Sequence, residues 1–165
     1  MSAQENNRKV ALGGLLHRIG SFDPKSYESD FNSRLILQKT VYLMREFGLN
    51  IGYSFSWYLR GPYSPNLTRD TYELAKIYSE VPPVKFAEPN KESRFCEFLD
   101  FVKPISRDRI RLERIAVVHF LCKMYPHLSS KEVYVKVNVK IPNITFDEFE
   151  KIKSLLRCYK LLESE

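Results

Sequence analysis

A chain of 165 residues, 44% hydrophobic and 13% aromatic, can bury one core, which excludes wholesale intrinsic disorder. No apolar run approaches the roughly 20 residues of a membrane-spanning helix, and the opening MSAQENNRKV has no apolar stretch behind its charges, so a soluble cytoplasmic protein is expected. The net charge of +6 is lopsided, because residues 101–165 hold 13 Lys/Arg against 8 Asp/Glu; this permits phosphate contact but equally suits a solvated helix face.

The first predicted helix spans about 7–19, with Val10, Leu15, Leu16 and Ile19 for the core. Gly13-Gly14 weakens it by about 1 kcal/mol per glycine relative to Ala, so it either frays or packs closely there. Residues 21–30 read as a polar connector, since helices seldom run through the residue before a proline such as Pro24. A second helix begins at Asn32 or Ser33 as cap, carries the stripe Ile36, Leu37, Thr40, Val41, Leu43, Met44 and Phe47, and stops at Gly48.

Residues 53–59 alternate strictly and predict a strand, with Tyr53, Phe55, Trp57 and Leu59 on its buried face. Gly61-Pro62 reads as a tight turn. Ser64-Pro65 is an N-cap followed by Pro at the first helical position, so a helix to about 79 is expected. The run Val81-Pro82-Pro83-Val84 opens a loop to about 90, the best boundary between an N-terminal part, 1–83, and a basic C-terminal part, 84–165, which can still share one core.

Further helices are predicted at about 91–102 and 107–125. Ser129-Ser130-Lys131-Glu132 and Thr145-Phe146-Asp147-Glu148 are capping boxes and imply two more. Valines 133, 135, 137 and 139 alternate as in a strand, yet Val133, Val137 and Ile141 are also spaced by four, and the cap favours the helix. The last helix, about 146–162, puts Phe149, Ile152, Leu156 and Tyr159 on one stripe and Lys151, Lys153, Arg157 and Lys160 largely elsewhere.

Chemistry-bearing motifs are sparse. Cys96, Cys122 and Cys158 are odd in number and widely spaced, as reduced thiols in a helical core would be. His119-x-x-Cys122 supplies only two of the four ligands that zinc needs, so neither a metal nor a cofactor is expected. There is no nucleophile elbow, Gly-rich phosphate loop or metalloprotease motif, so the chain reads as non-catalytic, an enzyme of unrecognised type remaining a remote alternative. Arg107, Arg109, Arg111 and Arg114 open a helix, with 107, 111 and 114 on one face. They could track a phosphate backbone, and basic charge there opposes the helix dipole, which favours an external anion.

Arg34-Leu35-Ile36-Leu37-Gln38-Lys39-Thr40-Val41-Tyr42-Leu43, followed by Phe55-Ser56-Trp57-Tyr58-Leu59-Arg60-Gly61-Pro62-Tyr63-Ser64-Pro65-Asn66-Leu67, resembles the YwgA-like family of small prokaryotic proteins. More distantly it resembles the Panacea (SocA-like) domain, which also pairs an L-Q-K helix with a Gly-Pro turn. The matching motifs span about 34–75. The elements read along the chain give a compact, mainly α fold with a small β element, and the Panacea resemblance implies a non-enzymatic antitoxin-like adaptor or regulator that recognises a protein partner, with related families suggesting a helix-turn-helix-like arrangement. The positions carried over are Gln38, Lys39, Tyr42, Trp57, Gly61, Pro62, Tyr63 and Ser64, with Arg60 beside them. Gln38 and Lys39 are placed at the polar edge of their helix, where they either meet a partner or brace the Gly-Pro turn. The alternative function is a DNA-binding regulator using Arg107, Arg109, Arg111 and Arg114 with Lys151, Lys153, Arg157 and Lys160.

Overall fold

The computed structural model describes residues 2–164, which form eight α-helices and one antiparallel hairpin. The helices are α1 (Ala3–Ile19), α2 (Pro24–Ser29), α3 (Phe31–Glu46), α4 (Pro65–Ile77), α5 (Pro89–Val102), α6 (Arg109–Met124), α7 (Ser130–Lys140) and α8 (Phe146–Cys158). The hairpin joins β1 (Ser56–Tyr58) to β2 (Gly61–Tyr63), with Ser56 opposite Tyr63 and Tyr58 opposite Gly61. The expected class, mainly α with a small β element, is the class observed.

Local chemistry explains most element ends. Ser2, Ser129 and Thr145 each close a reciprocal capping box with a Glu three residues on. Ser64 caps α4, with Pro65 at its first position, as expected. Residues 130–140 are helical, and the capping box prevails over the alternating valines: Val133 and Val137 are buried, Val135 and Val139 exposed. Gly48 has the expected left-handed φ of +87° after α3.

Several expectations are corrected. Residues 24–29 are a helix: Asp23 accepts from the Lys25 N–H, and Pro24 at the first helical position needs no donor partner. The cap of α3 is Asp30, bonded to the Asn32 N–H and the Ser33 hydroxyl, and not Asn32 or Ser33. The strand predicted over 53–59 shrinks to β1, and Leu59 is 76% exposed at the hairpin tip. Gly61-Pro62, read as a turn, is the start of β2. Val10 is exposed, and Lys9 is buried in its place, paired with Glu73. Arg107 precedes the Asp108 cap and lies outside α6. Helix α8 ends at Cys158 rather than 162, and Lys153 is buried, its ammonium donating to Ser130 Oγ. The three thiols are free as expected, but Cys96 and Cys158 are exposed rather than in the core.

Helices α3 and α6 pack along one another at the centre of the core. One apolar cluster runs from Leu12 of α1 through Val41 and Ile115 to Leu161, so residues on both sides of the 81–88 loop share it. That loop is laid on α1 by Gly13-Gly14, where the chain packs closely rather than frays. The Arg18 guanidinium fastens it from the side, donating to the Val84 carbonyl while lying 4.5 Å from the Phe95 ring centroid.

A Cβ on Gly14 would lie 2.6 Å from Val84 Cγ1 and 3.0 Å from the Pro82 carbonyl oxygen. Gly14→Ala is therefore expected to cost about 1–3 kcal/mol by overpacking, outweighing the roughly 1 kcal/mol that Ala gains in a helix. Urea denaturation reads the sign directly, and a stabilised variant would contradict the close packing.

Candidate functional site

The residues singled out in the sequence converge where α3 meets the hairpin. A two-stranded sheet leaves the outer edge of β2 without a strand partner, and its carbonyls and N–H groups must be satisfied otherwise. Gln38 does so with both ends of its amide: Oε1 accepts from the Ser64 N–H at 2.9 Å and Nε2 donates to the Ser64 carbonyl at 2.9 Å. The same Nε2 donates to Thr68 Oγ1, which in turn donates to the Tyr63 hydroxyl. Lys39 Nζ donates to the Pro62 carbonyl at 2.8 Å. Proline at 62 has no N–H to leave unpaired on this edge.

These contacts correct the placement of Gln38 and Lys39 at a polar helix edge. They are 3% and 1% exposed and brace the hairpin from beneath. Burial, with Arg60 adding repulsion and Glu113 opposing it, pulls the Lys39 ammonium down to about 8. Gly61 completes the fit: its φ is +96°, and a Cβ there would meet Val117 of α6 at 2.9 Å.

Tyr42 faces the other way, into the core. Its hydroxyl donates to His119 Nδ1 at 2.7 Å, and His119 Nε2 donates to the Leu161 carbonyl at 3.1 Å, which fixes the neutral tautomer. Both ring nitrogens are thereby engaged. Burial lowers the His119 pKa to about 4 and raises that of Tyr42. Trp57 stacks on Phe120 at 5.2 Å, on the α6 side of the hairpin.

Above the brace lies an open cleft of about 460 Å³ between the start of α3, the hairpin and α4. Gln38, Lys39, Arg60, Gly61 and Tyr63 line it. Pro62, Ser64, Tyr42 and Trp57 do not, so the structure brings five of the nine expected residues to one concave surface. The sequence reading missed Phe31, Arg34, Tyr58, Leu59 and Tyr72, which also line it. Phe31, Tyr58, Leu59 and Tyr72 are all exposed, although Leu59 shares the alternation of a buried strand face. Phe31 and Arg34 lie in the first turn of α3, ahead of the apolar stripe that begins at Leu35 and Ile36, and that was the signal in the sequence.

Of the basic residues of the C-terminal third, Lys153, Arg157 and Lys160 line a separate hollow between the end of α6, the start of α7 and the end of α8, and the arginines of α6 do not join them there. Arg109 pairs with Glu113, Arg114 with Glu148, and Lys151 with Asp147. Lys153 is buried, Arg157 is half-buried, and only Arg107, Arg111, Lys151 and Lys160 of this set are exposed. No helix among the described residues is long and apolar enough to cross a membrane. Neither a family model, nor a curated protein, nor a solved structure gives a significant match to the chain.

Gln38→Leu strips the buried Ser64 N–H and carbonyl of their partner, at a cost of about 1–3 kcal/mol for each stranded group, while the half-buried Thr68 hydroxyl keeps its bond to Tyr63. A fall in urea midpoint far beyond that of an exposed control such as Gln4→Leu is the expected result. His119 gives a pH signature. Between pH 6.5 and about 4 the unfolded chain takes up a proton that the folded chain refuses, so stability is full above 6.5 and falls as pH drops toward 4. The loss reaches up to about 3 kcal/mol. Denaturation midpoints of native and His119→Gln chains across this range should diverge in slope, with the variant flatter.

Proposed function

We propose that the chain is a non-catalytic adaptor or regulator that binds a protein partner through the hairpin tip and the cleft beside it. The observation that carries this is Leu59, 76% exposed between Tyr58 and Arg60 on a tip whose base is clamped by Gln38 and Lys39. A large apolar side chain held outward on an ordered support costs solvation in the free chain and loses little conformational freedom on binding. Tyrosine and arginine beside it are the residue types that dominate interface energetics. The antitoxin-like or adaptor role implied by the resemblance to the YwgA-like and Panacea families agrees with this reading. The DNA-binding alternative has weaker support, because acidic partners hold Arg109, Arg114 and Lys151.

Tagged native chain and two surface variants, expressed in the cell that encodes it, provide the test. Leu59→Asp should lose a co-purifying protein that Arg107→Ala/Arg111→Ala retains, with all three chains equally stable. Retention by Leu59→Asp would refute the tip as the docking surface. Salt-sensitive binding of generic duplex DNA that depends on Arg111 would turn the assignment to the DNA reading.

A further inference from the structure

The cleft gathers positive charge that no carboxylate of its own lining balances. The guanidinium carbons of Arg34 and Arg60 lie 5.9 and 5.7 Å from the centroid of the same ring, Phe31, and Lys39 forms part of the floor beneath. No Asp or Glu is among the lining residues; the carboxylates that act on these cations from outside the lining are Asp30, the α3 cap, on Arg34 and Glu113 of α6 on Lys39. Arg60 forms no ion pair among the described residues. Arg34 is held in place by its donation to the carbonyls of Tyr27 and Glu28 at the end of α2. Like charges gathered on one apolar ring repel in the free protein, and an anion between them relieves that repulsion.

We infer that the cleft seats an acidic side chain, Asp or Glu, of the partner's docking segment, with a bulky apolar neighbour packed on Phe31, Tyr58 and Leu59. This rests on the docking surface proposed above. Charge complementarity selects the carboxylate, and guanidinium–carboxylate hydrogen bonds are stronger than neutral ones. The apolar rim favours a protein segment over a bare phosphate chain, because Phe31 and Leu59 have no polar atom to offer a phosphodiester and bury area only against an apolar neighbour.

The test is fluorescence anisotropy with two labelled peptides: one places Glu on each side of a Leu-Phe pair, the other replaces each Glu with Gln. The native chain should bind the acidic peptide about tenfold more tightly, with the preference shrinking as ionic strength rises. Arg60→Gln, an exposed substitution that spares the hairpin brace, should erase the preference; Arg111→Gln should keep it. Inorganic phosphate and duplex DNA should not displace the peptide. Equal binding of both peptides, a preference that survives Arg60→Gln, displacement by phosphate or DNA, or no binding to the native chain would overturn the carboxylate inference. The co-purification experiment judges the parent reading separately: partner loss in Leu59→Asp together with equal peptide affinities would leave the docking surface standing and remove only the carboxylate.

Discussion

The hairpin depends on an edge that no strand covers. Two strands of three residues have too little ladder to persist in water, and a two-stranded hairpin is marginal even when longer. Here the free edge of β2 is completed by side chains: the Gln38 amide pairs with the Ser64 peptide group as a neighbouring strand would, and Lys39 takes the Pro62 carbonyl. The same bonds make β2 continuous with the start of α4, since Ser64 is also its cap. Helix α3, hairpin and α4 are thus one mechanical unit, and the other face of the hairpin rests on α6 through Gly61, Val117 and the Trp57–Phe120 stack.

Buried polar groups recur elsewhere with the same logic. Asp70, 1% exposed, accepts from Arg8 Nε and from the Tyr53 hydroxyl, joining α1, the 47–55 segment and α4. His119 joins α3 to residue 161 through Tyr42. Each is a hydrogen-bonded contact between segments distant in sequence, and such contacts specify one arrangement of helices where apolar packing alone would tolerate several. Breaking one partner leaves a stranded group in a dry place, so these residues are intolerant of substitution without being sites of chemistry.

The proposed docking surface follows from this division. Residues that the resemblance groups together separate physically into a buried brace, Gln38, Lys39, Pro62 and Ser64, and an exposed surface, Arg60 with its newly found neighbours Phe31, Tyr58 and Leu59. The brace supplies rigidity, and the exposed group supplies area and charge. A preorganised tip loses less entropy on docking than a mobile loop would, so under the proposed docking role the buried brace would serve the exposed surface.

Much of the fold was legible in the chain. The capping boxes at Ser129 and Thr145, the Ser64-Pro65 start, the stripe of α3 and the stop at Gly48 are local signals, each set by residues within one or two turns. The L-Q-K helix and the Gly-Pro stretch were legible as a pair, but not their geometry. Tertiary contact decided that Gln38 and Lys39 point inward, because an unpaired strand edge is a partner that helical periodicity cannot reveal. It also decided that Leu59 points outward although it shares the alternation of Tyr53 and Trp57, since the chain reverses at the tip before the strand reaches it. The sequence alone determined most helices, caps and stops, which are energies of neighbours; only the tertiary structure decided which polar side chains complete a backbone and that Arg60 is left without an ion pair among the described residues, since both depend on segments far apart in the chain.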